Sequence, residues 1–390
     1  MGDVRKLGLV PLAAYGVFGL PLAMAALPLY VHLPNFYATE HGLALGLVGL
    51  ILLATRLVDA LSDPLIGYWS DRLANRRGFV LAAIPLLTLG MIGLFSPLAA
   101  MGPALWLVVA VVVTYLGFSM ASIAYQAWGA ELSSDPHERT RITASREVFS
   151  LVGVVVASAL PAVLGGGNAV ALERFALLFA ALAVVCGALT LLAAPRPNRL
   201  RAPSRSFVQS LSGPLANRRF RWLVVVFVCS GIAAAIPSTL VLFFIADVLR
   251  ASASSAMFLI TYFIAAAAGL PLWVILAKRI GKRRAWLAGM LLSIAAFMWA
   301  YGLGPGDTVA FGIICALSGI ALGADLALPA SMLADVIDDD QATHATEGAY
   351  FGLWNLLTKA NLAAAAGIAL PFLGAIGYQP GGAAHLGALS

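Results

Sequence analysis

Long apolar runs separated by short charged loops recur along this chain, and they restrict its fold more than any other feature. A helix needs about 20 apolar residues to cross the hydrocarbon core of a bilayer. Eleven runs meet that length, and they lie at 9–33, 43–70, 79–98, 104–130, 142–165, 172–194, 221–246, 253–277, 285–303, 308–334 and 347–373. Only 11% of the residues are charged, against about 25% in soluble domains. The sequence therefore predicts an all-α polytopic membrane protein.

Basic residues concentrate in the loops on one side of the predicted spans. With the N-terminus placed inside the cell, the inner segments hold 19 of the 24 lysines and arginines and the outer segments hold two. Inner loops of membrane proteins are enriched in these residues. We therefore predict a multi-pass protein of a bacterial-type inner (plasma) membrane with a cytoplasmic N-terminus. This placement also explains the net charge of +6 without a nucleic-acid partner.

A stretch rich in proline and arginine divides the chain near its middle. The predicted parts are an N-terminal six-helix bundle, a cytoplasmic central loop and a C-terminal bundle, at 1–194, 195–220 and 221–390. The charged loop that begins at Asp71 recurs at Lys278, 207 positions later, as expected for a duplicated six-helix unit. Duplication predicts a twelfth helix after Tyr378. The sequence there is Gly-rich and too short, so we expect five helices in the second bundle and a missing twelfth.

The second predicted span carries three ionisable residues, Arg56, Asp59 and Asp63. Such residues are rare in spans because each costs about 3 kcal/mol to insert. Asp59 and Asp63 are four positions apart, so both carboxylates project from one helical face. Two carboxylates on an interior face can bind Na⁺ or share a proton. The alternative is a structural ion pair between Arg56 and Asp59, with Asp63 near the inner surface.

Further candidates for substrate binding or coupling lie in other spans. Lys359, in the eleventh span, needs a carboxylate partner, which is either an aspartate of the second span or Asp325 of the tenth. The alternative is a static Lys359–Asp325 ion pair with a structural role. Arg146 opens the fifth span and either faces the interior or extends to the inner surface. Tyr125 in the fourth span suits a substrate cavity, although packing is the commoner role of an aromatic residue there.

Charged residues at the inner ends of helices form a candidate gate. Alternating acids and bases there can pair in one conformation and separate in another, whereas a simple excess of basic residues would not include Asp71. The predicted gating residues are Asp71, Arg72, Arg76, Arg77, Glu131 and Asp335.

No enzyme is expected, because the five histidines are scattered and no phosphate loop or nucleophile–base pair occurs. The three cysteines lie in separate apolar runs, so neither a disulfide nor a cysteine metal site is expected. We expect no cofactor apart from a coupling ion, H⁺ or Na⁺, and a metal site at Asp59 and Asp63 only if that ion is Na⁺.

Three motifs follow one another along the chain: Arg56 to Trp69, Glu138 to Arg141 with Arg146, and Met332 to Asp338 with Glu347, Gly348 and Lys359. Together they resemble the glycoside–pentoside–hexuronide:cation symporters, the melibiose permease-like family of the major facilitator superfamily. The resemblance implies twelve helices in two bundles, a central cavity and alternating access. It also implies that Asp59 and Asp63 bind Na⁺, Li⁺ or H⁺, that Lys359 links the cation and sugar sites, and that Arg146 lies near the sugar.

The chain departs from this family where the sugar is held. The first-helix Lys-Asp pair of the family falls on Leu22 and Ala23, the fourth-helix aspartate near Ala121 and the tenth-helix tryptophan near Leu326. A polar-substrate site that has lost its hydrogen-bonding groups should lose that substrate, so a galactoside is not expected. The missing fourth-helix acid also weakens the case for Na⁺ relative to H⁺.

The resulting hypothesis is a secondary active transporter that couples symport of a small solute, a sugar or glycoside by the resemblance, to H⁺ or Na⁺. The alternative is proton-coupled export of an amphipathic or lipid-like compound, which an apolar cavity would suit. A membrane enzyme or non-transporting sensor has little support. The expected partners are a small-molecule substrate and the lipid bilayer, with no nucleic acid, and the chain is expected to be monomeric.

Overall fold

Helices make up nearly all of the computed structural model, which describes residues 7–27, 29, 32–73, 75–97, 101–165, 169–196, 206–251, 254–339 and 347–375. These residues contain no β-strand. The helices are α1 Leu9–Gly16, α2 Gly19–Leu27, α3 Leu33–Thr39, α4 Leu45–Leu73, α5 Arg76–Phe95, α6 Pro103–Glu131, α7 Pro136–Gly165, α8 Ala169–Ala193, α9 Phe207–Ala216, α10 Arg218–Phe243, α11 Ser255–Ile280, α12 Lys282–Ala300, α13 Thr308–Asp339 and α14 Glu347–Ala375. A π-helical turn, Phe244–Val248, continues α10.

Each predicted span corresponds to helical structure. Helices α1 and α2 occupy the first span, α4 to α8 the next five, and α10 to α14 the last five. Among the described residues, six helices are long and apolar enough to cross a membrane: Arg76–Phe95, Pro103–Glu131, Ala169–Ala193, Arg218–Ser238, Met257–Ile280 and Thr308–Asp339. The all-helical polytopic prediction is thus confirmed. The expectation about a twelfth helix falls on 376–390, outside the described residues.

Two further helices, α3 and α9, were not among the predicted spans. Helix α9 lies within the segment predicted to be the central loop, and it begins with a capping box. The Ser206 hydroxyl accepts a hydrogen bond from the Gln209 N–H at 3.3 Å, and the Gln209 side chain accepts one from the Ser206 N–H at 3.1 Å. The Ser-x-x-Gln spacing is a sequence signature of a helix start, so part of the predicted loop is helical.

The chain forms two compact units. Unit 1 comprises Met1–Asn217 with Ala334–Leu356, and unit 2 comprises Arg218–Leu333 with Leu357–Ser390. Within unit 1, α5 packs against α6 and α8, α4 packs against α6, and α2 packs against α7. The inner ends of α13 and α14, as oriented by the basic loops, therefore belong to unit 1 together with the helices of the N-terminal half.

Aromatic side chains fill the core of unit 1. The Tyr15 hydroxyl donates to the Tyr125 carbonyl at 2.9 Å, the Tyr125 hydroxyl donates to the Tyr15 carbonyl, and the two rings lie 4.6 Å apart. Phe18 packs edge-on against Tyr125 at 5.4 Å. In unit 2, Phe244, Phe258 and Phe311 form a smaller buried cluster beside an apolar cavity of about 170 Å³.

Candidate functional site

Asp59 and Asp63 lie buried on α4, where the two residues are 5% and 0% exposed. The Ser119 hydroxyl, on the neighbouring helix α6, donates to the Asp59 carboxylate oxygen Oδ1 at 2.7 Å. Pro64 follows Asp63 inside α4 and has no N–H, so the Ala60 carbonyl lacks its usual helical donor. Two buried carboxylates on α4 and a hydroxyl bonded to one of them therefore lie inside unit 1, and these are groups that bind hard cations or protons.

A chain of hydrogen bonds continues from this site to α14. The Ser122 hydroxyl donates to the Ser119 carbonyl at 3.3 Å, and the Asn355 amide donates to the Ser122 hydroxyl at 3.0 Å. The Gln126 side-chain amide in turn donates to the Asn355 side-chain oxygen Oδ1 at 3.1 Å. The polar surface of α6 thus connects the buried carboxylate of Asp59 to α14 within unit 1.

The side chains of Lys359 and Asp325 belong to unit 2. Lys359 is 9% exposed and follows Asn355 by four residues, which is about one turn along α14. Asp325 on α13 accepts a hydrogen bond from the Trp286 indole N–H at 2.6 Å. In the described part of the chain no basic group forms an ion pair with Asp325. A static Lys359–Asp325 pair is therefore not present.

The other candidate binding residues contact aromatic rings, a neighbouring charge or the core of unit 1. The Arg56 guanidinium lies over the Tyr115 ring, 5.7 Å from its centroid. Arg146 bonds to the adjacent Glu147 through Nε at 2.8 Å and Nη2 at 2.5 Å. Tyr125 is 0% exposed and holds α6 to α1, which favours the packing interpretation of this residue.

Arg76 organises a cluster of charges at the inner helix ends. Its Nη2 atom lies 2.6 Å from Asp71, 2.9 Å from Glu131 and 3.5 Å from Glu347. Its Nη1 atom donates to the Ser70 hydroxyl at 2.7 Å. Arg76 is 1% exposed, and its side chain at the start of α5 joins α4, α6 and α14. We call these four ionised residues the Arg76 cluster.

Asp71 also binds the first turn of α14 directly. Its two carboxylate oxygens accept hydrogen bonds from the backbone N–H groups of Gly348 and Ala349, both at 2.8 Å. N–H groups in the first turn of a helix have no partner within the helix, and the positive end of the helix dipole favours an anion there. Asp71, which lies on α4, therefore caps the N-terminus of α14.

Close backbone contact between α4 and α14 allows this capping. A Cβ atom at Gly348 would lie 2.8 Å from the Asp71 carboxylate and 2.9 Å from the Arg76 guanidinium, and nearer still to the Gly67 carbonyl. A Cβ atom at Gly352, one turn along, would lie 2.7 Å from the Asp63 carbonyl. Glycines at these positions thus bring α14 against the part of α4 that carries the buried carboxylate.

We expect Gly348→Ala to lower the thermal stability of the detergent-solubilised protein. The new methyl group forces the two helices apart, and overpacking of this kind costs about 1–3 kcal/mol. Gly49→Ala is the matched control, because Gly49 is also helical and a Cβ atom there would meet nothing within 4 Å. Equal melting temperatures for the two variants would contradict the close contact.

The remaining predicted gating residues lie outside the Arg76 cluster. Asp335 pairs with Arg139 at 3.4 Å, and Asp338 lies 3.1 Å from the same guanidinium. The Arg72 Nη1 atom donates to the Tyr68 hydroxyl at 3.0 Å. Arg77 donates to the Leu191 carbonyl and lies over the Trp128 ring, 6.0 Å from its centroid. The structure thus brings Asp71, Arg76 and Glu131 together and separates the other three.

Sequence reasoning missed Ser119 and gave Glu347 no gating role. A hydroxyl in an apolar helix is ordinary, and the only sequence signal was that Ser119 lies two positions from Ala121, where an acid was missing. In the described part of the chain no three His, Cys, Asp or Glu side chains are grouped to hold a metal ion. A Na⁺ ion at Asp59 and Asp63 would consequently rely on hydroxyl and carbonyl oxygens as further ligands.

This chain is similar in sequence and in fold to known transport proteins. Residues 11–389 match the family model described as MFS/sugar transport protein. An isoprimeverose transporter of Lactiplantibacillus pentosus is 26% identical over 79% of this chain and 67% of its own length. The uncharacterized symporter YnaJ of Bacillus subtilis is 29% identical over 41% of this chain, which spans only 36% of that protein. The crystal structure of the Escherichia coli fucose:proton symporter FucP matches with a TM-score of 0.73 and 16% identity, over 98% of this chain and 95% of that one.

Proposed function

This chain belongs to the MFS/sugar transport protein family, and we propose that it is a secondary active transporter that moves a sugar or glycoside together with a cation. The predicted major facilitator fold is confirmed by the match to FucP. Membership of this family makes the chain a multi-pass membrane protein with a small-molecule substrate. Two of the relatives are named as an isoprimeverose transporter and a symporter, and with the match to the sugar transport family these names favour symport over export of an amphipathic compound.

The burial of Asp59 and Asp63 in a membrane helix carries this proposal. Burying a carboxylate costs free energy unless its charge is neutralised or well paired. A bound cation therefore stabilises the folded protein most where solvent is excluded from the carboxylate. The two carboxylates share one helical face and the Ser119 hydroxyl donates to one of them, so these groups can hold one monovalent cation. We propose H⁺ as that cation, because the one acidic residue of α6, Glu131, pairs with Arg76 in the Arg76 cluster and position 121 is an alanine.

Coupling to the substrate would pass along the polar chain on α6 to α14. A cation at Asp59 changes the acceptor strength of its carboxylate toward Ser119, and Ser122 and Asn355 carry that change to the helix of Lys359. Arg56, Arg146, Asp325 and Tyr125 remain candidates for substrate binding or coupling. We further propose that the protein acts as a monomer in the inner membrane with its N-terminus in the cytoplasm.

The Arg76 cluster supports a gating role at the inner helix ends. Asp71 and Arg76 hold the start of α14 through two backbone hydrogen bonds and the contact with Glu347. We propose that these contacts, and also the Arg139–Asp335 pair, form in one conformation and break in another. Alternating access requires such reversible contacts at each end of the transport path.

The test is a cation-flux screen in proteoliposomes. The purified protein is reconstituted, and external pH and Na⁺ are recorded as isoprimeverose, fucose, other sugars, glycosides and organic acids are added in turn. We expect one sugar or glycoside to cause alkalinisation outside without a change in Na⁺, relative to protein-free liposomes. Sodium movement would reassign the cation to Na⁺, and the absence of any solute-induced cation flux would contradict symport.

A further inference from the structure

A groove with a volume of about 760 Å³ lies between α5 and α8 in unit 1. Its apolar wall includes Leu81, Val184 and Leu192, which are 61%, 51% and 84% exposed. These side chains lie on two candidate membrane spans, so their exposed surface faces hydrocarbon. An occupant of this groove needs an apolar part that matches the wall.

Arg77 and Asn75 line one end of the same groove. Asn75 caps α5 by accepting a hydrogen bond from the Gly78 N–H at 2.8 Å, and no acidic residue lies in the first turn of α5. Both the arginine and the positive end of this helix favour an anion at that end of the groove. The groove is therefore apolar along its length and cationic at the end where the basic loops lie.

The positive charge of Arg77 has no protein counterion in the described residues. The guanidinium donates to the Leu191 carbonyl and lies over Trp128, but no ion pair involves it. Its Nε atom is buried without a hydrogen-bond partner among those residues. The adjacent Arg76, in contrast, contacts three carboxylates. An arginine held in this way can still donate to an anion from outside the protein.

We propose that this groove binds an anionic phospholipid, whose phosphate lies against Arg77 and the start of α5 and whose acyl chain lies along Leu81, Val184 and Leu192. Anionic lipids are enriched in the leaflet that faces basic loops, and basic pockets between helices bind their headgroups. A free phosphate satisfies the charge of Arg77 but leaves the apolar wall uncovered, so the lipid is the better match. This inference rests on the membrane setting and the proposed orientation, and not on transport.

Native mass spectrometry of the delipidated full-length protein with added phosphatidylglycerol or phosphatidylcholine tests this site. We expect Arg77→Gln to weaken phosphatidylglycerol binding about fivefold, the effect of one basic residue at an anionic surface, and to leave phosphatidylcholine binding unchanged. Arg279→Gln is the matched control, because Arg279 is exposed at the end of α11 and lies outside the groove. Equal phosphatidylglycerol affinity in the Arg77 variant and the wild type would overturn the proposal.

A second variant and a competition experiment separate the lipid from a free anion. Ala188 lines the middle of the groove, so Ala188→Phe should fill it and lower the binding of both lipids while Arg77 is intact. Excess inorganic phosphate should leave bound phosphatidylglycerol in place. Displacement of the lipid by phosphate, or unchanged lipid binding in Ala188→Phe, would overturn the assignment. None of these measurements depends on sugar transport, so their failure leaves the symport proposal standing.

Discussion

Asp59→Asn is expected to abolish cation-driven accumulation of the sugar identified by the flux screen, so that its concentration ratio across the membrane falls to one. Asparagine keeps the shape of the side chain and can still accept from the Ser119 hydroxyl, but it cannot become negatively charged. Coupling therefore fails while the site remains packed. The measurement is uptake into proteoliposomes under an imposed membrane potential of about 100 mV with equal pH on both sides.

The size of the effect follows from the driving force. Moving one elementary charge through 100 mV provides about 2.3 kcal/mol, and about 1.4 kcal/mol corresponds to a tenfold ratio. One coupled cation therefore supports accumulation of about 50-fold at that potential. The wild-type protein should approach this ratio, whereas Asp59→Asn should only equilibrate the sugar. We expect Asp63→Asn to behave in the same way, because Asp63 shares the buried face of α4.

Two controls make this result specific to the carboxylate. Asp307→Asn makes the same chemical change at an exposed loop residue, which accepts from the Gly304 N–H at 2.8 Å, and accumulation should be retained. Sugar counterflow, which needs no net cation movement, should persist in Asp59→Asn and report that the variant is folded. Accumulation at the wild-type ratio in Asp59→Asn would reject this residue as the cation site.

The face of α4 could be predicted because its geometry is local. Asp59 and Asp63 are four residues apart, so their side chains project in the same direction once the segment is helical. Because a charge is costly in the hydrocarbon of a membrane, that direction must be toward the protein interior. Both are indeed buried. Their partner Ser119 is sixty positions away in sequence on another helix, and only the packing of α4 against α6 selects it from the other hydroxyl residues.

Adjacent residues on a helix show where sequence reasoning stops. Arg76 and Arg77 are chemically identical, but successive side chains on a helix point about 100° apart, so one contacts three carboxylates and the other a lipid-exposed groove. The partner of Asp325 was also not evident from charge: Asp325 accepts a hydrogen bond from the neutral Trp286 indole and does not pair with Lys359. From the sequence, charge alone indicates which buried residues require partners. Which partners they contact depends on how each helix is rotated about its axis in the folded protein.

Arg76→Ala is expected to destabilise the folded protein by about 3–5 kcal/mol, the usual cost of removing one partner from a buried ion pair. Arg76 is fully buried, and the Asp71 and Glu131 side chains beside it are only 5% and 3% exposed. Without the guanidinium these carboxylates retain their desolvation cost and lose their compensation. Thermal unfolding in detergent at neutral pH measures the loss.

Arg139→Ala is the matched control for this prediction. Arg139 also contacts two carboxylates, but Asp335 and Asp338 are 27% and 45% exposed, so water can solvate them after the arginine is removed. Pairs exposed in this way contribute about 1 kcal/mol or less. A similar loss of stability in both variants would show that burial of the Arg76 cluster does not determine its energy.

The Arg76→Ala defect should also respond to a second substitution. Adding Asp71→Asn should recover part of the stability, because replacing both partners of a buried pair costs far less than removing one. A double variant no more stable than Arg76→Ala would attribute the loss to packing of the arginine side chain. Recovery would assign it to electrostatic compensation, and the hydrogen bonds from the start of α14 to Asp71 would then depend on the charge of Arg76.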